Sequence, residues 1–291
     1  MRIRVLGAAA GGGFPQWNCG CANCRKARER SPDVTPCTQE SVAVSSDGER
    51  WYLLNASPEI RSQIESFAPL HPRSARHSPI AGILLTNGDL DHCLGLLSLR
   101  ESHPLTVYAT DEVRRGFSDA NAMYRTLERF PGQLTWKRFD ARLNERLSVQ
   151  AVPAPGKAPL HLEGRAPAAP GDNVGFVIEE RGRRLAYFSG AAAVTPGMRA
   201  AIDSADCLFF DGTFWSSDEL IALGLGALRA EDMAHLPVSE SLKILSGAKP
   251  RRRIYIHVNN TNPMLDRTSR ERRQVEAAGW EIAHDGMELE L

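Results

Sequence analysis

Residues 83–96 decide the fold class, and they read Ile-Leu-Leu-Thr-Asn-Gly-Asp-Leu-Asp-His-Cys-Leu-Gly-Leu. An apolar run that is typical of a buried strand ends at Leu85, and a cluster of polar side chains follows it. A second apolar run, which contains Gly95, predicts a helix. Functional side chains of layered α/β folds gather on such loops at strand ends. Asp91 and His92 are therefore the first candidate metal ligands.

The rest of the chain mixes strand-like and helix-like segments from end to end. Short apolar runs between turn residues predict strands, and Asp47-Gly48 is a favourable hairpin turn between two of them. Ser57 and Pro58 are typical of a helix start, with Ser57 as the N-cap. The mixture predicts a layered α/β sandwich with helices outside paired sheets. Strands are predicted at 40–46, 50–55, 80–85, 105–109, 174–179, 184–188, 207–210, 253–258, 281–283 and 288–291, and helices at 58–67, 94–100, 111–117, 118–130, 196–204 and 239–247.

Four polar clusters, at residues 87–92, 172–173, 211–213 and 257–262, each follow a predicted strand. Because site loops gather at the carboxyl ends of strands, we expect the four clusters at one rim of the molecule. The segment 152–170 is rich in Pro, Ala and Gly. It fits either an interdomain linker or, as we favour, a long loop at the mouth of a site.

Composition narrows the classes of function. The 291 residues include 35 Lys and Arg against 35 Asp and Glu, so no overall field recruits nucleic acid or an anionic membrane. No apolar run is long enough to span a bilayer, and residues 1–7 read as a strand rather than as a signal peptide. We therefore expect a cytoplasmic protein with a single domain over 1–291, no membrane span and no nucleic-acid partner.

Cys19, Cys21 and Cys24 form a Cys-x-Cys-x-x-Cys motif within a loop at about 11–30. Three thiolates at this spacing can hold one tetrahedral Zn²⁺ with a distant fourth ligand, so the motif predicts a structural zinc site. In a reducing compartment this clustering favours metal over disulfides, and three free cysteines are the alternative. The nearby glycines do not form the Gly-x-Gly-x-x-Gly pattern of a dinucleotide site, and we reject that interpretation.

Asp91 and His92 alone are weak evidence for a metal, because an N-capping Asp beside a surface His is common. Three further side chains change this balance. His257 ends one predicted strand, Asp211 ends another, and His235 lies in a predicted loop. Several chain segments that each deliver one metal-competent side chain predict a shared metal centre. Asp211 has an alternative interpretation as a turn-forming residue before a glycine.

Seven sequence blocks share a further resemblance. They read Gly-Gly-Gly-Phe-Pro-Gln-Trp-Asn-Cys at 11–19, Asn-Ala-Ser-Pro-Glu-Ile-Arg at 55–61, Asp-Leu-Asp-His at 89–92, Leu-Leu-Ser-Leu-Arg-Glu at 96–101, Pro-Gly-Asp-Asn at 170–173, Asp-Gly-Thr at 211–213 and His-Val-Asn-Asn-Thr-Asn-Pro at 257–263. Together they resemble the pyrroloquinoline quinone biosynthesis protein B family over nearly the whole chain. The resemblance implies the four-layer αββα fold of the metallo-β-lactamase superfamily and a role in making the cofactor pyrroloquinoline quinone.

Two activities are implied by this resemblance. One is an iron-dependent, O₂-using hydroxylation of the tyrosine ring of a crosslinked Glu–Tyr precursor. The other is a non-catalytic carrier that helps to move the cofactor or a precursor to the periplasm. The implied partners are the small-molecule or peptide-derived precursor and other proteins of the pathway, and a homodimer stays open. A mononuclear zinc hydrolase is a third and less favoured hypothesis.

The resemblance also indicates which half of a dinuclear hydrolase site is missing. Hydrolases of the superfamily have His at the positions of Asn87 and Asp89, a third His near Asp172 and a bridging Asp near Gly190. All four are replaced here, which argues against two-metal hydrolysis of the β-lactamase kind. Asp89 and Asp172 are left as candidates to hydrogen-bond the remaining ligands.

The other half of the site is retained as Asp91, His92 and His257. Two histidines and one carboxylate form the facial triad that is typical of non-haem Fe(II) oxygenases. The resemblance therefore implies Fe²⁺ bound by these three side chains. Asp211 and His235 become candidates for substrate positioning or proton transfer.

The cysteine motif lacks an evident fourth zinc ligand. Related hydrolases with the same cysteine spacing supply a His three residues after position 257, where this chain has Asn260. Because the Asn side chain is a poor zinc ligand, we expect a carboxylate or another His to complete the site.

Overall fold

The computed structural model describes residues 1–119, 121–139, 142–164 and 168–291. Within these ranges the backbone forms two β-sheets flanked by helices, which confirms the predicted four-layer class. The elements in chain order are β1 (Arg2–Gly7), α1 (Ala22–Arg28), β2 (Ser41–Ser45), β3 (Trp51–Leu54), α2 (Ile60–Glu65), β4 (Ile80–Leu84), α3 (Leu90–Cys93), α4 (Gly95–Ser98), β5 (Leu105–Tyr108), α5 (Asp111–Ser118), β6 (Leu134–Lys137), β7 (Leu147–Pro153), β8 (Val174–Glu180), β9 (Arg183–Phe188), α6 (Pro196–Asp203), β10 (Cys207–Asp211), α7 (Glu219–Ala222), α8 (Val238–Ile244), β11 (Arg252–Ile256), α9 (Arg270–Ala277), β12 (Glu281–Ile282) and β13 (Glu288–Glu290). Short 3₁₀ turns lie at Ala68–Leu70, Ala122–Leu127, Leu160–Leu162, Glu231–Met233 and Pro263–Leu265.

The first sheet has the strand order β13-β1-β2-β3-β4-β5-β6. β13, β1, β2 and β3 are antiparallel neighbours, whereas β3 to β6 run parallel to one another. The β2–β3 hairpin turns through Asp47 and Gly48, as the sequence predicts. The loop after β4, which holds the decisive polar cluster, therefore leaves the sheet at the carboxyl end of a parallel strand.

The second sheet has the strand order β12-β11-β10-β9-β8-β7. β9 to β12 are parallel, so the residues that follow β9, β10 and β11 meet at one edge. β8 runs antiparallel to β9, and the residues that precede it reach the same edge. The Val174 amide donates to the Thr86 carbonyl (2.9 Å), which joins this edge to the loop after β4.

The cluster at 172–173 reaches the rim in a different way from the predicted one. It precedes β8 and does not follow a strand. The predicted position of this cluster at the rim is therefore right, but the predicted reason for it is wrong. Asn87 and Asn173 form an isolated antiparallel bridge, which fixes this loop beside the decisive stretch.

The two faces of the first sheet belong to different hydrophobic cores. Tyr52 and Leu54 on β3 pack with the side chains that fill the space between the sheets. Leu53, which points the other way because strand side chains alternate, packs with Ile60 of α2 and Val113 of α5. The continuous apolar runs of the sequence therefore reflect strands that are buried on both faces.

Two helix predictions need correction at their starts. α2 begins at Ile60, and the Ser57 side chain does not cap it; the buried Ser57 hydroxyl instead donates to Gln63 Oε1 (3.0 Å). The helix predicted at 94–100 is the shorter α4, which ends at Ser98, and a separate short helix before it, α3, contains the Asp-His pair.

Two other predictions include residues outside the described ranges. In the predicted helix 118–130, which includes residue 120, the described part forms the 3₁₀ turn Ala122–Leu127. The predicted loop 152–170 includes residues 165–167; its described part ends β7 and then lines a cavity through Lys157 and Leu160. None of the helices in the described ranges is long and apolar enough to cross a bilayer.

The start of α4 gives a test of the fold. Gly95 packs so closely that a Cβ there would overlap the carbonyl oxygens of Ser57 and Ala56. We expect Gly95→Ala to lower the free energy of unfolding by about 2 kcal/mol or more, because the backbone must move apart. Gly197→Ala, in the first turn of α6 with no such contact, should leave stability unchanged or raised. Equal urea midpoints for the two variants would contradict this packing.

Candidate metal centre

A cavity of about 310 Å³ opens where the loops after β4, β10 and β11 meet. Asp91, His92 and His257 lie at its base, and the predicted candidate His235 lies on its wall. The ligand atoms of Asp91, His92 and His257 all lie within 4.8 Å of one another. The structure therefore brings together the three side chains that the sequence singled out as metal ligands.

The distances within this set fit one shared ion. Asp91 Oδ2 lies 3.1 Å from His257 Nε2 and 3.6 Å from His92 Nε2. Ligand atoms that each lie ~2.0–2.2 Å from a metal ion are separated by roughly 3–4 Å. His92 Nε2 is buried and has no hydrogen-bond partner among the described residues. A buried nitrogen without a hydrogen-bond partner lowers the stability of the fold unless a ligand such as a metal ion binds it.

His92 is held in the tautomer that binds metal through Nε2. The Thr86 hydroxyl lies 2.8 Å from His92 Nδ1 and donates its own proton to Asn55 Oδ1 (3.0 Å). Thr86 must therefore accept the Nδ1 proton, which leaves the lone pair on Nε2. Burial lowers the pKa of His92 to about 4, so the ring is neutral at pH 7.

A threonine hydroxyl also orients His257, in the second sheet. The Thr213 hydroxyl lies 2.8 Å from His257 Nδ1 and donates to Asp211 Oδ1 (2.6 Å), so Nε2 faces Asp91. The backbone of His257 adopts a left-handed conformation (φ 60°), which an ordinary residue adopts only under constraint. Burial opposes a charge on this ring, but the hydrogen bond and the charge of Asp91 outweigh it and raise the pKa of His257 to about 9.

Asp211 and His235 form a pair beside this set. His235 Nδ1 lies 2.7 Å from Asp211 Oδ2, and the fully buried carboxylate also accepts from the Ala191 amide. Burial raises the pKa of Asp211, but the charge and hydrogen bond of His235 outweigh it and lower that pKa below its usual value. The carboxylate accepts a hydrogen bond from Nδ1, so Nε2 of His235 faces the cavity.

Asp89 and Asp172 do not have the predicted role. Asp89 Oδ1 accepts from the Leu160 amide (3.3 Å), and Asp172 Oδ2 accepts from the Ala169 amide (2.6 Å), so both carboxylates fix loops. The Nδ1 atoms of the two imidazoles instead lie against the hydroxyls of Thr86 and Thr213. Sequence reasoning missed these partners because a Thr or Asn near a strand end has no distinctive spacing.

The other half of the superfamily's metal site is occupied by hydrogen-bonded amides. Asn87 Nδ2 donates to Asn173 Oδ1 (3.3 Å), and Asn173 Nδ2 donates to the Gly190 carbonyl (2.8 Å). Neither residue belongs to a set of three metal-competent side chains among those described. A second set of three metal-competent side chains, Asp211, His235 and His257, lies beside the first and shares His257 with it.

Two further side chains near the cavity were not predicted. Lys157 is the one Lys or Arg among the described residues that line the cavity, and its amine pairs with Glu163 at the surface (2.6 Å). Glu40, directly before β2, is fully buried, and burial raises its pKa to about 8. A charged residue at the start of an otherwise apolar strand is the only sequence signal that could have indicated Glu40.

The three cysteines of the zinc motif also come together. The Sγ atoms of Cys19, Cys21 and Cys24 lie within 4.8 Å of one another, at the start of α1. Within the described ranges, no carboxylate or His joins this set, so the expected fourth ligand is not there. The Asn260 side chain occupies that side, with its Nδ2 3.3 Å from the sulfur of Cys24. The His257–Asn262 segment therefore contacts both candidate metal sites.

Comparisons with known proteins identify the class. A model of the beta-lactamase superfamily domain matches residues 50–258. A diphosphatase of the PhnP family shares the fold at a TM-score of 0.69 and 20% identity, over 100% of this chain and 98% of that one. With two sheets flanked by helices and a site at their common edge, the chain has the metallo-β-lactamase fold.

Full-length relatives identify the family. Coenzyme PQQ synthesis protein B of Methylobacterium radiotolerans is 46% identical, and that of Rhizobium meliloti is 45% identical, with 100% of this chain and at least 98% of each relative covered. The structure of Zn²⁺-bound PqqB from Methylobacterium extorquens superposes with a TM-score of 0.95 at 43% identity, with both chains fully covered. The chain belongs to the coenzyme PQQ synthesis protein B family, whose role is in pyrroloquinoline quinone biosynthesis.

The raised pKa of His257 predicts how metal binding depends on pH. Below about pH 9 the ring keeps a proton on the nitrogen that must face the ion, so metal and proton compete. We expect the affinity of this centre for Mn²⁺ to fall about tenfold for each pH unit below 9. Titrations followed by the electron paramagnetic resonance (EPR) signal of free Mn²⁺ between pH 7 and 9 check this. A dissociation constant that stays flat over that range would contradict it.

Proposed function

We propose that this protein is a non-haem iron, O₂-dependent hydroxylase of the tyrosine ring of the crosslinked Glu–Tyr precursor of pyrroloquinoline quinone. The observation on which the proposal depends is the set of Asp91, His92 and His257 at the base of one cavity. Two imidazole nitrogens and one carboxylate suit ferrous iron and leave coordination positions free. When bound, the iron would supply the activation of O₂.

The proposed reaction needs a reductant as well as O₂. One oxygen atom replaces the hydrogen of a ring C–H bond to form C–OH, and the other oxygen atom leaves as water. Two electrons and two protons close this balance, and we assign them to an external two-electron donor such as ascorbate. The chain's own residues would bind the substrate, hold the ion and move protons.

His235 is the proposed proton-transfer residue. Its Nε2 faces the cavity, and the buried Asp211 carboxylate orients the ring through Nδ1. An imidazole whose far nitrogen donates a hydrogen bond to a carboxylate is a suitable proton-transfer group at its exposed nitrogen. We propose that it takes the proton that the ring carbon or its hydroxyl releases.

We also propose that the three cysteines hold a structural Zn²⁺. The related PqqB from Methylobacterium extorquens is Zn²⁺-bound, which supports zinc in the family. In this chain Asn260 would complete the site through its side-chain oxygen. That requires a flip of the amide, because Nδ2 now lies against the sulfurs of Cys21 and Cys24.

An isotope experiment tests the hydroxylase. The protein is loaded with Fe²⁺ without oxygen, mixed with the Glu–Tyr precursor and ascorbate, and exposed to ¹⁸O₂. We expect a product with one added ¹⁸O atom, and a rate lower by about 100-fold or more in His92→Ala and His257→Ala, since each loses a ligand. His71→Ala, which changes an exposed histidine far from the cavity, is the matched control.

The carrier hypothesis makes the opposite forecast for the same samples. Tight binding of pyrroloquinoline quinone without any incorporation of ¹⁸O would reject the hydroxylase and favour a carrier. Wild-type turnover by both ligand variants would reject the assigned site.

Lys157 gives a test of substrate recognition. The precursor has carboxylates, and Lys157 can exchange its surface partner Glu163 for one of them. We expect Lys157→Met to raise KM about tenfold or more with little change in kcat, because a charged hydrogen bond of binding is lost. Lys243→Met, which removes a similar surface pair with Glu240, should leave KM unchanged. Equal KM values for the two variants would exclude this role.

A further inference from the structure

Glu40 is a buried carboxylate beside the candidate metal centre. Its Oε2 accepts a hydrogen bond from Asn55 Nδ2 (2.7 Å) and lies 3.8 Å from His92 Nε2. Its Oε1 is buried and has no hydrogen-bond partner in the part of the chain that the structure describes. The side chain is fully inaccessible to solvent, so bulk water does not satisfy it.

Among the described residues, no Lys or Arg forms an ion pair with Glu40. Its nearest titratable neighbour is the His92 ring, which is neutral at pH 7. A buried carboxylate that lacks both a cation and a full set of hydrogen bonds is strongly unfavourable. His92 Nε2 is likewise buried and unpartnered. Two neighbouring side chains thus each leave one polar atom unsatisfied, and a divalent cation would satisfy both.

The distance between Glu40 and His92 fits two ligands of one ion. The separation of 3.8 Å between Glu40 Oε2 and His92 Nε2 lies within the roughly 3–4 Å expected for two ligands of one metal. The corresponding separation between Asp91 and His92 is 3.6 Å. Glu40 lies outside the set of Asp91, His92 and His257, whose ligand atoms are within 4.8 Å of one another, so its carboxylate must move toward them when an ion binds. It does not line the cavity, and the open positions for O₂ and substrate stay free.

We propose that Glu40 is a further metal-binding side chain of this centre, which supplies a second carboxylate in addition to that of Asp91. Two carboxylates balance the charge of a divalent ion in a buried site, and oxygen ligands favour hard ions such as Mn²⁺. The inference rests on the proposed function only in that both need an ion at this centre; it does not depend on hydroxylation.

Mn²⁺ binding to the full chain tests this assignment. Mn²⁺ is a hard ion that prefers the carboxylate and imidazole centre to the three thiolates, and the EPR signal of free Mn²⁺ gives the dissociation constant. Glu40→Gln keeps the shape of the side chain and the acceptor for Asn55. We expect it to weaken Mn²⁺ binding about 10- to 100-fold while the metal-free protein keeps its wild-type unfolding midpoint or exceeds it.

Glu180→Gln is the matched control. Glu180 is a buried carboxylate on β8 that pairs with the amino group of Met1, away from the cavity, so its loss should leave the Mn²⁺ affinity unchanged. A Glu40→Gln affinity within twofold of wild type would overturn the proposal. So would equal losses in the two variants.

A crystal structure of the wild-type protein with Mn²⁺ gives a second readout that needs no variant. We expect a Glu40 oxygen within bonding distance of the ion, whereas a carboxylate that stays on Asn55 alone would overturn the assignment. The results of these Mn²⁺ experiments can be distinguished from the result of the hydroxylase test. Loss of affinity in Glu40→Gln together with no ¹⁸O product supports Glu40 and rejects hydroxylation, and the reverse result rejects Glu40 alone.

Discussion

The site depends on two threonine hydroxyls that fix the tautomers of two buried histidines. Thr86 and Thr213 each accept a hydrogen bond from Nδ1 of one ring and donate one to Asn55 or Asp211. Both rings are therefore locked with Nε2 toward the Asp91 carboxylate. Without these hydrogen bonds each imidazole could present either nitrogen, and the ligand set would no longer be preorganised for an ion.

The two sheets make this arrangement possible. Each sheet contributes one Thr–His pair, and both pairs lie at the edge where parallel strands end. The Val174 amide bond to Thr86 and the amide pair of Asn87 and Asn173 join the two halves at this edge. The missing half of the superfamily's site is thus occupied by these amides, which form part of the cavity wall.

The sequence predicted the parts of the site that follow strand ends. Asp91, His92, Asp211 and His257 were found because an apolar run that ends in a polar side chain is visible locally. Glu40, Asn55 and Lys157 were not predicted, because their importance comes from contacts with residues far away in sequence, such as Asn55 with Glu40 and His92. Asp89 and Asp172 were misassigned for a related reason: their spacing fits the metal motif, while their carboxylates bond local backbone amides.

The central claim is that one ferrous ion binds between Asp91, His92 and His257. Diffraction from crystals loaded with Fe²⁺ without oxygen, recorded on both sides of the iron absorption edge, tests it directly and distinguishes iron from zinc at the cysteines. The account predicts a single iron peak in the cavity, within bonding distance of Asp91 and of Nε2 of both histidines. Two iron peaks, or a single peak beside Asn87 and Asn173, would contradict it.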